Sequence, residues 1–243
     1  MQSLERPSFS SEGRTQIYQY VERHGTATRN RTRSAVDLPA AEFETELEWL
    51  LRKGYLEDDG GTLRLGLSAG AVENHVGRSF NYTVRPARQE DFEGLVGTIR
   101  KVTDEDQYVV AESIAEQLLY EDTVQRHTTV ESRMFFVATR EGEIIGWTHL
   151  DLPQVEKMQC SAQLTVGVCP SARENGVGSQ LIERALDWAA ANGYRKVYNS
   201  VPTTNDRALS FLESRGWHTE GIRRNHYTIG DDLVDEAMMA YTL

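Results

Sequence analysis

The run Leu164-Thr-Val166-Gly167-Val168-Cys-Pro170-Ser-Ala-Arg173-Glu174-Asn175-Gly176-Val177-Gly178-Ser179 decides how this chain is read. A strand over Ser161 to Val168 enters a tight loop, Arg173-x-x-Gly176-x-Gly178, and then a helix over Ser179 to Ala191. Leu181, Ile182, Ala185, Leu186 and Ala189 fall on one face of that helix, and Asn192-Gly193 stops it. Such a strand–loop–helix is an anion site. The first-turn N–H groups have no intrahelical acceptor, and the helix dipole adds positive potential there. Glycines 176 and 178 let the backbone approach phosphate oxygens with no Cβ in between. The loop lies well past the middle of the chain, and no Gly-Lys-Ser/Thr follows a glycine-rich loop. The pattern therefore favours a pyrophosphate-bearing ligand that is neither a dinucleotide nor a triphosphate.

Strands and helices alternate on both sides of this run. Tyr82 to Pro86 reads as a short strand, and Gln89 to Val102 as a helix with Phe92, Leu95, Val96 and Ile99 on one face. A second helix is expected over Ala111 to Leu119. Strands are expected over Met134 to Ala138 and Ile144 to Leu150, joined by a turn at Glu141-Gly142-Glu143. Downstream come a strand from Arg195 to Val201, a helix from Asn205 to Arg215, and two more strands after Gly216. Meandering strands followed by βαβ-like crossovers indicate an α/β fold with a mixed sheet.

Residues 1–75 form a separate small unit in this reading, and residues 76–243 the larger domain. Leu65 to Ala71, continuing to Phe80, is rich in small residues and reads as the connection. In the small unit, Ile17, Tyr20 and Val21 mark a helix closed by His24-Gly25, and Thr26 to Asp37 leaves room for a short helix. Leu38-Pro39 opens a firmer one with Phe43, Leu47, Leu50 and Leu51 on one stripe. Tyr55 to Leu65 is a hairpin turned by Asp59-Gly60-Gly61. That order resembles a winged helix-turn-helix. DNA binding is disfavoured, however. Arg23, Arg29, Arg31 and Arg33 make a basic patch, but the helix that would enter the major groove carries Glu42, Glu44, Glu46 and Glu48. A dimerisation or protein-docking role fits the unit better.

Composition narrows the classes further. Twenty-six basic against 37 acidic side chains give a formal charge of −11, which argues against a phosphate-coating protein. No apolar run approaches the roughly 20 residues of a membrane span, and Met1 to Ser11 lacks the apolar core of a signal peptide. Cys160 and Cys169 cannot make a disulfide framework, and no Cys/His cluster has metal-site spacing. A reduced, cytoplasmic protein without a metal is the expectation.

With these residues in view, the chain from about residue 80 resembles the GNAT superfamily of acetyl-CoA-dependent N-acyltransferases. Val168-x-Pro170-x-x-Arg173-x-x-Gly176-x-Gly178 stands at that family's signature spacing. Asn205-x-x-Ala208-x-x-Phe211-x-Glu213-x-x-Gly216-Trp217 and Val84-Arg85-Pro86 with Glu90-Asp91 match two further elements. The resemblance implies a mostly antiparallel central sheet flanked by helices. It also implies acetyl transfer from acetyl-CoA to a primary amine, on a small molecule or a protein, by direct attack in a ternary complex. Val166, Gly167 and Val168 would line a splayed strand end whose backbone pairs with the pantetheine amides. Arg173, Glu174, Asn175, Gly176, Val177, Gly178 and Ser179 would wrap the pyrophosphate. Asn205 would hydrogen-bond near the pantetheine arm, and Phe211 would pack on the cofactor.

One departure stands out. Many relatives place a tyrosine directly after the aromatic of the Asn-containing helix as general acid, whereas this chain has Leu212. Tyr227 is the substitute of choice. Its neighbour His226 would point to the opposite face of a regular strand, and Gln163 and His149 would order a water. Acceptor loops are expected at Thr103–Gln107, Tyr120–Arg133 and Arg223–Asp232. Glu105, Asp106, Glu121 and Asp122 there would attract a cationic amine, although such charges are usually solvated surface. The competing reading is an acyl-CoA-sensing, DNA-binding regulator whose larger domain has lost catalysis. A homodimer through the small unit beside an ordinary acetyltransferase is the third.

Overall fold

A computed structural model describes residues 9–24, 26–53, 55–66, 72–103, 109–127, 131–153 and 155–243. The first unit runs α1 (Glu12–His24), β1 (Thr26–Thr28), α2 (Arg29–Ala35), α3 (Ala40–Arg52), β2 (Leu56–Asp59) and β3 (Thr62–Leu65). Ile17 and Val21 of α1 meet Phe43, Leu47 and Leu50 of α3, with Leu56 and Leu63 of the hairpin completing one core. Gly60 and Gly61 both take positive φ at the turn, and the Gly61 N–H donates to Asp58 Oδ1 at 2.7 Å. β1 pairs with β3 and makes the sheet three-stranded. Three residues are too few to leave a periodic signal, so the sequence pattern did not announce this strand.

The larger unit contains β4 (Glu73–Val76), β5 (Asn81–Pro86), α4 (Phe92–Thr103), α5 (Val109–Glu121), β6 (Arg126–His127) and β7 (Glu131–Arg140). β8 (Glu143–Pro153), β9 (Ser161–Val168), α6 (Val177–Ala191), β10 (Lys196–Pro202), α7 (Asp206–Glu213), β11 (His218–Ile229) and β12 (Asp232–Thr242) follow. Its strand order is β11-β12-β10-β9-β8-β7-β5-β4, with β6 pairing β7, and every neighbouring pair is antiparallel except β9 with β10. The sheet is thus mixed and mostly antiparallel. Glu73 to Val76, expected as connection, is its terminal strand, so the sheet begins on the N-terminal side of residue 76.

Helices cover both faces. Leu95 and Ile99 of α4 and Ile114 and Leu118 of α5 pack with Phe135, Val137 and Trp147. Leu181, Ile182, Ala185 and Ala189 of α6 pack with Phe136, Leu150, Leu164 and Val197 on the other side. Met134 to Ala138 reads as an unbroken apolar run because successive side chains enter different cores.

β9 and β10 pair only from Lys196↔Ser161 to Tyr198↔Gln163. Beyond Gln163, β9 stays with β8 as far as Val168, and β10 stays with β12 as far as Pro202. Leu164–Val168 and Asn199–Pro202 therefore diverge within the sheet. On β9, Gly167 lies opposite the fully buried Trp147, and a Cβ there would stand 2.8 Å from the indole Nε1. Gly167→Ala should accordingly lower stability by about 1–3 kcal/mol. An unchanged urea midpoint would show that the indole can step aside.

Candidate active site

Backbone phase determines what the gap between β9 and β10 offers. The Cys169 N–H donates to the Ile145 carbonyl at 3.0 Å, so residues in step with it (Thr165 and Gly167) aim their backbone at β8. Leu164, Val166 and Val168 aim theirs into the gap. Two side-chain bonds agree with this phase: Thr148 Oγ1 donates to the Thr165 carbonyl at 3.1 Å, and Arg173 Nε to the Val168 carbonyl at 3.0 Å. Gly167 departs from expectation, since its backbone faces β8 and its missing side chain makes room for Trp147. The guanidinium of Arg173 braces the strand end.

The gap leads to the glycine loop. Pro170 to Ala172 form one 3₁₀ turn, Glu174 and Gly176 take φ of 64° and 82°, and Gly176 caps α6, which starts at Val177, two residues earlier than expected. Backbone kinked through the left-handed region is the geometry of anion-binding nests. The N–H groups of Val177, Gly178 and Ser179 belong to the first turn and have no intrahelical acceptor. At Gly178 a Cβ would stand 3.2 Å from the Phe211 ring and 3.4 Å from Val168. This glycine lets strand end, helix start and Phe211 converge. An extended ligand ending in a pyrophosphate fits these residues, with amides along Val166 and phosphates at the helix start.

Other predicted residues have local duties. Asn205 is buried and caps α7, its Oδ1 accepting from the Ala208 N–H at 3.0 Å. Leu212 is buried in the core. Arg215 was not foreseen. Its guanidinium lies 3.8 Å from the Phe211 ring centroid and donates to Ser179 Oγ, placing a cation at the first turn of α6. Only the meeting of the α7 end with the α6 start reveals it.

Tyr227 donates to Glu236 Oε1 at 3.1 Å, and its hydroxyl is held well above its ordinary pKa by burial and by the Glu236 charge. A hydrogen bond with Ser200, on the diverging part of β10, acts in the opposite sense. Glu236 is buried and also accepts from Arg223 at 2.9 Å, with His226 Nε2 at 3.6 Å. His226 and Tyr227 thus converge on one carboxylate instead of facing apart. The register shift between Arg223 and Tyr227, with Asn225 at φ 50°, breaks the alternation. The signal missed in the sequence was Asp235-Glu236 inside an otherwise apolar strand.

A cavity of about 510 Å³ opens between α5 and the β8–β9 surface, lined by Ser113, Gln117, His149, Asp151, Gln163 and Thr165 among others. His149 and Gln163 both line it. Burial, with the Arg133 charge adding to it, lowers the His149 pKa to about 3, so the imidazole is neutral at ordinary pH. Of the expected acceptor-loop acids, Glu121 is ion-paired to Arg126 and Arg133, each at 2.6 Å. Glu105 and Asp106 lie outside the described residues. Cys160 is exposed, and burial raises the thiol pKa of Cys169, which does not suit a nucleophile. Among the described residues no His/Cys/Asp/Glu group could hold a metal, and no helix is long and apolar enough to cross a membrane.

Residues 97–217, which include the gap, the glycine loop and α7, match the acetyltransferase (GNAT) family. This chain carries a GNAT acetyltransferase domain. Over 65 residues it is 37% identical to the N-alpha-acetyltransferase RimI of Mycobacterium tuberculosis, covering 27% of this chain and 39% of that protein. Over 75 residues it is 31% identical to the ribosomal protein bS18-alanine N-acetyltransferase of Escherichia coli K12, covering 31% of this chain and 51% of that one. These matches thus span about half of those relatives' length at most, 39% of one and 51% of the other. A GNAT-family acetyltransferase from Streptococcus pneumoniae superposes with a TM-score of 0.56 at 22% identity, covering 67% of this chain and 99% of that one, and so shares the fold.

The GNAT domain's neutral His149 has a consequence for stability. Its folded-state pKa is depressed, so only the unfolded chain takes up this proton between about pH 6.5 and 3. Stability should fall as pH drops through that window, and His149→Phe should flatten the fall. Urea midpoints with the same pH slope in both proteins would refute the assignment.

Proposed function

We propose that the protein transfers the acetyl group of acetyl-CoA to a primary amine by direct attack in a ternary complex. The observation that carries this reading is the β9–β10 gap running into the glycine loop. Gap-facing groups of Val166 and the Val168 N–H would pair with the pantetheine amides. Backbone from Arg173 to Ser179 would hold the pyrophosphate, with Arg215 adding charge at the same turn. Bound acetyl-CoA supplies the thioester carbonyl that the amine attacks.

Tyr227 is the proton donor in this reading. Its raised pKa keeps the hydroxyl protonated through the neutral range, which suits an acid and not a base. Ser200 connects it to the strand that borders the gap. His149, neutral, and Gln163 would hold a water on the acceptor side. Since the two bacterial relatives are named as N-alpha- and alanine N-acetyltransferases, a protein's N-terminal amine is the favoured acceptor.

The small unit, with its winged-helix order, is assigned to self-association or protein docking. Arg29 is engaged with Glu44 at 3.8 Å and Asp58 at 3.7 Å, while Glu42 and Glu48 stay exposed on α3. A surface of that charge suits a phosphate backbone poorly.

Calorimetry with acetyl-CoA tests the cofactor. The wild type should bind, and Gly176→Glu, which forces a side chain at φ 82° and a carboxylate beside the phosphates, should lose at least about tenfold in affinity. Equal binding by both, or none by either, would sink the assignment. Once an acceptor is in hand, Tyr227→Phe should lower kcat about a hundredfold with KM for acetyl-CoA little changed. A fall of less than about threefold would remove Tyr227 from the chemistry.

A further inference from the structure

The segment joining the two units is fastened to the glycine loop. β4 ends in a turn at Gly77–Phe80, closed by the Gly77 N–H on the Phe80 carbonyl at 3.0 Å. From that turn the Ser79 N–H donates to Asn175 Oδ1 at 2.8 Å. The other end of the same amide, Nδ2, donates to the Arg173 carbonyl at 3.0 Å. The Asn175 side chain therefore staples the loop both to itself and to the joining segment. The fit is close: a Cβ on Gly77 would stand 2.6 Å from the Phe80 carbonyl oxygen and 3.0 Å from that of Asn175. A Cβ on Gly176 would stand 3.4 Å from the Tyr82 hydroxyl, and His75 of β4 stacks on Tyr82 with ring centroids 5.4 Å apart. Glu73 is ion-paired to Arg184 of α6, the helix whose first turn completes the loop.

Such contacts do more than end a sheet. The loop carries two residues in the left-handed region, Glu174 and Gly176, and Glu174 has a side chain that disfavours it. Backbone of that kind holds its shape only when its surroundings over-determine it. Residues 73–80 supply part of that surrounding, and they lie ahead of the 97–217 span that matches the family.

We propose that Asn175 and the Ser79 N–H are positioning residues for the cofactor's pyrophosphate, so that the joining segment sets the shape of the glycine loop and hence acetyl-CoA affinity. This rests on the cofactor reading above. In this role neither the Asn175 side chain nor the Ser79 N–H contacts a phosphate. They fix the conformation in which the backbone N–H groups of 176–179 are presented.

The test uses the full chain with Asn175→Ala, which removes the acceptor, and Ser79→Pro, which removes the donor. Ser79→Ala, which keeps the N–H, serves as the conservative variant. Amide hydrogen exchange without ligand reads the loop directly: exchange at residues 174–179 should quicken about tenfold in Asn175→Ala and Ser79→Pro and return to the wild-type rate in Ser79→Ala. In calorimetry the same two variants should bind acetyl-CoA about tenfold more weakly, while binding of acetylpantetheine, which lacks the pyrophosphate, stays at the wild-type level. Unchanged exchange in both folded variants overturns the proposal, as does an equal loss for acetyl-CoA and acetylpantetheine. Quickened exchange in a protein whose wild type binds no acetyl-CoA would leave the staple standing and overturn the cofactor reading instead.

Discussion

A β-ladder that stops after three residue pairs governs this site. β9 and β10 are interior strands of a nine-stranded sheet, where backbone groups normally have partners on both sides. Past Gln163 and Tyr198 each has a strand partner on one side only. The strands are kept from closing by what lies outside them. β10 follows β12 down to Pro202↔Glu236, and β9 follows β8, where Trp147 sits over Gly167. An unpaired backbone group inside a protein is costly unless something else satisfies it. In the proposed reading the gap is a receptor for another amide-bearing chain.

The opposite end of that receptor needs positive potential, and the protein as a whole is acidic at a formal −11. Backbone geometry resolves the conflict. N–H groups at the first turn of α6 supply local positive charge that does not depend on net charge, and Arg215 adds a single cation held by Phe211 and Ser179. In the proposed reading a polyanionic cofactor is thus accommodated without a lysine-rich surface.

Much of this was legible in the residues. The strand–loop–helix at 161–191 announced itself because alternation, two glycines and an amphipathic stripe fall in register, and each is a local signal. The buried run Met134 to Ala138 and the Asp59-Gly60-Gly61 turn were legible for the same reason. What escaped depended on residues far apart in the chain. Arg215 matters because α7 ends beside the start of α6, and Glu236 because a bulge at 223–227 turns both His226 and Tyr227 onto it. β4 looked like a connection because a short run of Glu, Asn, His and Val carries little strand signal, and only its ladder with β5 and its contacts with the loop give it a place. Asn205 and Gly167 taught the converse: a residue at a motif position can be accounted for by a helix cap or an indole ring.

Hydrogen exchange of the wild type with and without acetyl-CoA tests the central claim most directly, because it reads individual backbone groups. The amides of Val166 and Val168, together with those of 176–179, should gain protection on adding acetyl-CoA. Those of Thr165 and Gly167, already bonded to β8, should stay as they were. Protection that falls equally on all four strand residues, or that leaves Val166 and Val168 unchanged while acetyl-CoA binds, would contradict the account of the gap as the cofactor's seat.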